Sequence, residues 1–264
     1  TVARRGDDVA GRVADHWHVY AHGRHWLAFS TERARTSYLL SLGDDLEPLG
    51  LTTVADEAGF PTNDLFLVAE PEGVAVGHFD PGYGHHVFRF DVRGRAVSTA
   101  RVGGGRFRHA NGSSAIADGE GYRILAPENL MSLCRSAIRL VRTDAEWKPV
   151  SVETEWIEEP EPCNVSMASG VRLENGWWIV HARVRPGAWD RGELPPPRAP
   201  AGVDPEDGAL VRYLVSPEGK VARREVLVEE GNHPFRPHTA LVGDRLYTTW
   251  DEEGHVFLRI DRLE

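Results

Sequence analysis

A hairpin-like pattern recurs five times along the sequence, and this repeat predicts an all-β fold in the form of a five-bladed β-propeller. In each copy, two short β-prone apolar runs flank a turn that contains Gly, Asp or Asn, which is the signature of a β-hairpin. The first residue after each turn marks the repeat. The first three markers are equally spaced and the last two lie further apart; the five markers are Trp26, Val74, Tyr122, Trp177 and Leu246.

A second hairpin follows the first in the first four units, so each of these units is predicted to contain four antiparallel strands. Four-stranded sheets repeated around an axis are the blades of a propeller. A sandwich of two sheets is the alternative, but sandwiches seldom repeat a four-stranded unit. The predicted units span approximately residues 14–60, 61–108, 109–160, 161–230 and 231–264, within a single domain of residues 1–264.

The fifth unit is one strand short, because its third predicted strand ends close to the last residue. An unpaired sheet edge is prone to unwanted pairing. We therefore predict that an N-terminal strand within residues 1–13 completes the last blade. The longest step between markers contains residues 185–209, which are rich in Pro, Gly and charge and are predicted to form a surface loop. The composition of this loop suits either a lid or a partner-binding segment.

Charge and composition exclude several classes of protein. The formal net charge is −10, with acids and bases interspersed, which argues against a nucleic-acid partner because phosphate binding needs a basic face. No apolar run is long enough to span a membrane. The two cysteines, Cys134 and Cys163, form neither a disulfide framework nor a zinc pattern. No signal peptide is visible, but the first residue is Thr1. If an upstream signal was removed, the protein would be secreted or periplasmic, so the compartment stays open. The sequence also leaves the oligomeric state open.

Polar residues stand at the start of the first strand of each predicted unit. The first strand of a propeller blade lines the axis, so these residues are predicted to form a ring around a wet pocket. The five starts differ from one another, which favours one asymmetric site over one site per blade. The alternative is that they bond to neighbouring backbone and hold the blades in register. The ring consists of Asp15, His16, His18, Asp64, Asn111, Asn164 and His238.

The loops after the second strand of each unit are expected on the same face as this ring. They combine carboxylate, imidazole, guanidinium and aromatic groups. Aromatic faces stack on pyranose rings and charged groups hold hydroxyls and carboxylates, so a saccharide or another small polar ligand is predicted. The loop residues expected to contribute are His78, Tyr83, Glu128, Arg183 and Trp250.

The pattern of five units resembles the architecture of the five-bladed propeller glycosidases, the arabinanase and β-xylosidase group with their fructosidase relatives, over most of the chain. The resemblance implies a glycoside hydrolase in which Asp15, within Val13-Ala14-Asp15-His16, is the general base and Asp64 is the carboxylate that orients the acid. The expected general acid has no match, because the third unit begins with Asn111 and no carboxylate; Glu128 and Glu161 are candidates by location. A variant is a lyase that uses the side chains of His18, His238 and Tyr83. The remaining ring and loop residues would contact substrate: His16, Asn111, Asn164, His78, Tyr83, Arg183 and Trp250.

No histidine spacing is diagnostic of a metal site, so no cofactor is assigned. His16 and His18 are two residues apart and share one face of a strand, and together with His238 they suit a transition metal. An ion held in the central channel by main-chain groups is an equal alternative. The alternative function is a non-catalytic propeller that binds a glycan or a protein partner. The missing third carboxylate favours binding, whereas the asymmetry of the ring favours an enzyme.

Overall fold

The computed structural model describes residues 13–31, 36–55, 65–80, 84–103, 112–130, 135–159, 165–184, 208–229, 234–252 and 255–263. Every regular element in these ranges is a β-strand, and consecutive strands are hydrogen-bonded neighbours within five separate sheets. The fold is therefore an all-β, five-bladed propeller with antiparallel blades, as the sequence predicts, and the first four blades each have four strands. Within the described ranges, no helix is long and apolar enough to cross a membrane.

The strands follow one another in chain order within each sheet. The first sheet contains β1 (Val13–Ala21), β2 (Arg24–Thr31), β3 (Ser37–Leu42) and β4 (Pro48–Ala55). The second contains β5 (Leu65–Glu70), β6 (Gly73–Asp80), β7 (Gly84–Asp91) and β8 (Ala96–Val102). The third contains β9 (Ser114–Ala117), β10 (Tyr122–Leu130), β11 (Arg135–Thr143) and β12 (Pro149–Glu159). The fourth contains β13 (Val165–Arg172), β14 (Trp178–Val184), β15 (Ala209–Val215) and β16 (Val221–Val228), and the fifth contains β17 (Phe235–Val242), β18 (Arg245–Glu252) and β19 (His255–Arg262).

The fifth sheet has three strands among the described residues. The strand expected to complete it falls on residues 1–13, of which only Val13 is described, as the first residue of β1. Completion of the last blade by this segment therefore stays a prediction. The predicted surface loop at residues 185–209 likewise lies almost wholly outside the described residues, since β15 begins at Ala209.

The chain divides into two compact units. Unit 1 consists of Thr1–Phe107, Ala117–Arg123 and Arg142–Val150, and unit 2 consists of Arg108–Ile116, Ile124–Val141 and Ser151–Glu264. In unit 1, the period-2 pattern of β1 places Trp17 and Val19 against a core that includes Trp26, Leu65 and Val76. Burial of each large apolar side chain contributes roughly 1.5–3 kcal/mol, so this core holds the first and second sheets together.

The core of unit 2 is formed around β14, whose seven residues are all buried. A strand buried on both faces is expected to be continuously apolar, and Trp178, Val180 and Val184 fit that expectation by packing in the core cluster. His181 and Arg183 interrupt the apolar run, with exposed fractions of 0% and 1%. A buried polar side chain is costly unless it is hydrogen-bonded, so these two residues require specific partners.

Candidate functional site

Asp15 is a buried carboxylate at an irregular point of the first strand. Its exposed fraction is 3%, and the register of β1 with β2 shifts between Val13 and Asp15. Oδ1 accepts the N–H of His16 at 2.8 Å, and Oδ2 accepts the N–H of Leu65, the first residue of β5, at 2.9 Å. The carboxylate therefore links the starts of β1 and β5. Two roles are predicted for Asp15, a catalytic one and a structural bond to neighbouring backbone. The observed hydrogen bonds are of the structural kind, and they also fix the position of the carboxylate.

Two further first strands in unit 2 carry a β-bulge near their start. The register of β13 with β14 shifts between Ser166 and Ser169, and that of β17 with β18 shifts between Phe235 and His238. Within these bulges, Met167 has φ of 53° and Arg236 has φ of 47°, which is the left-handed region that non-glycine residues rarely adopt. Strained backbone of this kind concentrates at functional sites, where the surrounding structure holds it in place.

The two bulges lie against each other and against Gly112. The backbone N–H of Arg236 donates to Sδ of Met167 at 3.4 Å. Gly112 has φ of 76°, and a Cβ at this position would lie 2.7 Å from Cα of Met167. Sequence reasoning misses this cluster, although Pro237 within a strand is a signal for a bulge because proline cannot donate to the ladder.

His181 is the centre of a buried hydrogen-bond network in unit 2. Nε of Arg212 donates to Nε2 of His181 at 2.9 Å, so Nδ1 carries the imidazole proton and donates to Oγ1 of Thr239 at 2.8 Å. Oγ1 of Thr239 is also hydrogen-bonded to Oγ of Ser169 at 2.8 Å, and either hydroxyl can be the donor. Burial, followed by the charge of Arg212, lowers the pKa of His181 to about 3. The Nε2 lone pair accepts from Arg212 and lies 3.4 Å from Oγ1 of Thr248, so His181 is not a general base for Thr239 or Ser169.

Arg183 lies at the end of β14, with its guanidinium over the ring of Phe235 at 5.5 Å. The guanidinium of Arg236 lies 5.0 Å from the same ring centroid. Two cationic groups therefore flank one aromatic side chain close to the bulge of β17. The sequence analysis places Arg183 in a loop. This is wrong, because Arg183 pairs with Leu210 of β15 and is 1% exposed.

His16 and His18 lie on the exposed face of β1, opposite the face that carries Trp17 and Val19. Nε2 of His18 is 2.9 Å from Nδ1 of His25, and the two rings are stacked at 5.2 Å. Burial, followed by the charge of His25, lowers the pKa of His18. This imidazole is thus less readily protonated than a free histidine.

His78 and Trp250 lie within strands, whereas the sequence analysis expects them in loops after the second strand. His78 pairs with Leu65 on one side and His86 on the other, and it is 1% exposed. Burial, followed by the charge of His86, lowers its pKa to about 3. Trp250 pairs with Phe257 in β18 and β19. The expectation fails because backbone pairing continues beyond the apolar run into polar residues.

Two residues near the ends of the β17–β18 pair have partial exposure. His238 follows the β17 bulge and pairs with Thr249. The indole of Trp250 stacks on Phe257 at 5.6 Å and donates through Nε1 to Oε2 of Glu252 at 3.2 Å. This stacked pair offers an aromatic surface, of which Phe257 is 41% exposed.

Several predicted site residues are not described. Asp64, Tyr83, Asn111, Asn164 and Glu161 lie outside the described residues, and Glu128 lies in β10 with a side chain that is not described. Their predicted roles are therefore untested. Among the described residues, no group of three or more His, Cys, Asp or Glu side chains is arranged to hold a metal ion.

Sequence reasoning also misses a buried polar cluster in unit 1. Glu70, at the end of β5, accepts from Nε1 of Trp147 at 2.7 Å and from Nε of Arg89 at 2.9 Å. Tyr122 stacks on Trp147 with ring centroids 4.0 Å apart and planes inclined by 2°. The partners come from separate turns and strands, so the sequence gives no local signal for their meeting.

Comparison with known proteins supports the class of fold. No protein-family model and no curated protein matches the sequence. Among solved structures, an exo-β-1,3-galactanase from Phanerochaete chrysosporium is 8% identical with a TM-score of 0.60, and it covers 94% of this chain and 60% of its own. A thermostable family-43 glycoside hydrolase is 11% identical with a TM-score of 0.55, covering 98% and 92%. A family-32 β-fructofuranosidase from Bombyx mori is 10% identical with a TM-score of 0.59, covering 91% and 55%.

These likenesses define the class of protein as a five-bladed propeller with the fold of family-43 and family-32 glycoside hydrolases. The architectural resemblance predicted from the repeated units is thereby confirmed. The chain spans about 60% of the length of the galactanase and 55% of that of the fructofuranosidase. At such low identity the likeness shows the fold alone, and activity is a separate question.

Proposed function

We propose that this chain is a carbohydrate-active enzyme, a glycosidase-like hydrolase, with Asp15 as its general base. The observation that carries the proposal is the Asp15 carboxylate, which is buried at an irregular point of β1 and held by the N–H groups of His16 and Leu65. A general base must be held in a fixed position relative to the proton that it removes. Two backbone donors from different strands meet this requirement.

Within unit 2, strained backbone at the starts of β13 and β17 is of the kind that concentrates at functional sites. The bulges at Met167 and Arg236 each place a side chain where regular pairing would not. In this proposal Asp64 and Glu128 supply the other carboxylates, and the lyase variant uses His18, His238 and Tyr83. The distance between the two catalytic carboxyl groups would decide the stereochemical outcome of hydrolysis. A distance of about 5–5.5 Å gives retention of configuration at the sugar, and about 6.5–9.5 Å gives inversion.

The proposed substrate contacts differ in kind. Trp250 and His16 have exposed surface and suit direct contact with a saccharide. Asn111, Asn164 and Tyr83 lie outside the described residues and are proposed as contacts from their sequence positions alone. His78 and Arg183 are also proposed as substrate contacts; like Asp15 at 3%, they are almost fully buried, with an exposed fraction of 1% each. The aromatic pair of Trp250 and Phe257 suits stacking on a sugar ring.

The test is hydrolysis of a glycan panel by matched carboxylate variants. The panel contains β-1,3-galactotriose, sucrose and the aryl β-xyloside and α-arabinofuranoside. Asp15→Asn is expected to lower kcat on the hydrolysed member by about 10²–10⁴-fold, the usual contribution of a general base, and Asp64→Asn is expected to lower kcat because the general acid loses the carboxylate that orients it. Asp44→Asn is the control, because Asp44 lies in an exposed turn of the same sheet, where its Oδ1 accepts from the Tyr20 hydroxyl. Equal rates for wild type and both site variants would refute the proposal.

A non-catalytic glycan-binding propeller is the second candidate, favoured by the absence of a carboxylate at Asn111 in the third unit. The same panel separates the two functions. Saturable binding without turnover in the wild type would establish the binding function. Turnover that Asp15→Asn abolishes would establish the enzyme.

A further inference from the structure

A pocket with a volume of about 270 Å³ lies at the hairpin turns of unit 1. It is formed by the β5–β6 turn, the β9–β10 turn, the β11–β12 turn and Arg89 of β7. β5 begins at Leu65, which binds Asp15, and ends at Glu70 beside this pocket. A strand of this length rises roughly 17 Å, so the pocket is separate from the proposed catalytic carboxylate.

Two residues that line the pocket, Arg89 and Tyr122, belong to the buried polar cluster around Glu70. The Glu70 carboxylate is 4% exposed and accepts from Nε of Arg89 and from Nε1 of Trp147. Burial, followed by the charge of Glu70, raises the pKa of Tyr122. Trp147 and Tyr122 are stacked in parallel. Two donors, Nε of Arg89 and Nε1 of Trp147, therefore hold Glu70, and Glu70 in turn orients Arg89.

Arg89 is anchored through one side of its guanidinium only. Its hydrogen bonds within the described part of the chain all run through Nε, to the two oxygens of Glu70 at 3.0 and 2.9 Å. The two terminal NH₂ groups have no hydrogen-bond partner among the described residues, and the side chain is 27% exposed. A guanidinium has five donors in a planar fork, so four donors in a fixed orientation are left for a ligand.

The rim of the pocket is acidic. Glu72, Glu120 and Glu146 line it, and the Glu120 side chain is 89% exposed. The charge of Arg89 is offset by Glu70, so the lining disfavours a simple anion. Carboxylates accept hydrogen bonds and the guanidinium fork donates them. A neutral ligand with hydrogen-bond donors and acceptors on adjacent atoms can therefore bond to the carboxylates and to the guanidinium at the same time.

We propose that this pocket is a saccharide-binding site that takes a monosaccharide unit of a neutral glycan. Adjacent hydroxyls accept from the terminal nitrogens of Arg89 and donate to the carboxylates of Glu120 and Glu146. The site does not depend on catalysis at Asp15. It would hold a polymeric substrate at a second point, which raises affinity through the effective concentration of the linked chain.

The test is a titration of ¹⁵N-labelled full chain with D-galactose, D-xylose and L-arabinose, followed by backbone amide shifts. Saturable shifts are expected at Gly119, Gly121 and Glu146 with at least one sugar. Ala145→Trp, which fills the mouth from an exposed turn position, is expected to abolish them, whereas Ala222→Trp on the exposed strand β16 leaves them unchanged. Arg89→Lys keeps the charge but loses the fork, and is expected to weaken binding at least tenfold.

Three results would overturn the proposal. These are an absence of saturable shifts with all three sugars, shifts that survive Ala145→Trp, and shifts that arise with glycine or inorganic phosphate but with no sugar. Glycine would indicate a site for zwitterions, and phosphate a site for anions. Asp15→Asn separates this proposal from the proposed enzyme function, because it is expected to abolish turnover while leaving the shifts at Gly119 and Gly121 intact.

Discussion

Acid should destabilise this protein through its buried neutral imidazoles, and His181 is the best case. Burial and the neighbouring Arg212 charge lower the pKa of His181 from an ordinary value of 6.5 to about 3. Between these two values the unfolded chain binds a proton that the folded chain does not. Stability therefore falls as the pH falls below 6.5, and the effect levels off near pH 3.

The magnitude follows from the size of the shift. Each pH unit below 6.5 costs about 1.4 kcal/mol for one such imidazole, so His181 alone accounts for about 2.7 kcal/mol at pH 4.5. His78, with a pKa also lowered to about 3, adds a similar amount. A protein of this size has a total stability of roughly 5–15 kcal/mol, so the two residues together set much of its acid sensitivity.

The assay is urea unfolding followed by tryptophan fluorescence at several pH values between 4.5 and 8. His181→Gln keeps an acceptor for Arg212 and a donor for Thr239 but does not titrate. It is expected to be less stable than wild type at pH 8 by about 1–3 kcal/mol, because the network is imperfectly replaced. Below pH 6.5, the free energy of unfolding of this variant should fall with pH less steeply than that of wild type, by about 1.4 kcal/mol per pH unit. His255→Gln, at an exposed position of β19, serves as the control. Equal slopes for His181→Gln and wild type would refute the assignment.

Three further outcomes test the packing and the strained backbone. Gly121→Ala is expected to lower the free energy of unfolding by about 2–4 kcal/mol in urea, because its Cβ would lie 2.0 Å from the carbonyl oxygen of Thr143. Gly119→Ala is the comparison, since a Cβ there meets no atom within 4 Å and should cost only about 1 kcal/mol for the φ of 87°. Trp147→Phe keeps the ring stack but removes a donor to the buried Glu70, and is expected to lower the thermal midpoint by an amount equivalent to about 1–3 kcal/mol. Arg236→Gly relieves a left-handed φ of 47° and should raise the unfolding midpoint slightly, or at least leave it unchanged; a loss above about 1 kcal/mol would contradict the assignment of strain to this bulge.

The five-sheet architecture could be predicted because its signals are local. Each hairpin depends on apolar runs and a turn only a few residues apart, as in Ala21 and Arg24 across the turn at His22 and Gly23. Chain order also fixes the pairing, since consecutive strands are neighbours throughout. The lengths of the strands are harder to predict. His78, for example, extends β6 by pairing with His86, and the pattern of apolar residues does not reveal this pairing.

The buried polar groups could not be predicted, because their partners are distant in sequence. His181 is held by Arg212, 31 residues away, by Thr239, 58 residues away, and by Thr248, 67 residues away. Glu70 meets Trp147 across 77 residues. Side chains of these types occur both in functional sites and in hydrophobic cores. Only the fold shows whether a given side chain is exposed for contact with a ligand or is hydrogen-bonded inside the core.

The same reasoning explains why Asp15 is the strongest of the predicted site residues. Sequence position alone allowed either a catalytic carboxylate or a link between blades, and the bonds to His16 and Leu65 establish the link. The two roles are compatible, since a carboxylate held by backbone N–H donors needs no side-chain movement to stay in position for proton transfer. A purely structural link would tolerate Asn at this position with some loss of stability, whereas a base would not. The stability and the activity of Asp15→Asn, measured on the same preparation, therefore separate two roles that the geometry of the folded chain combines.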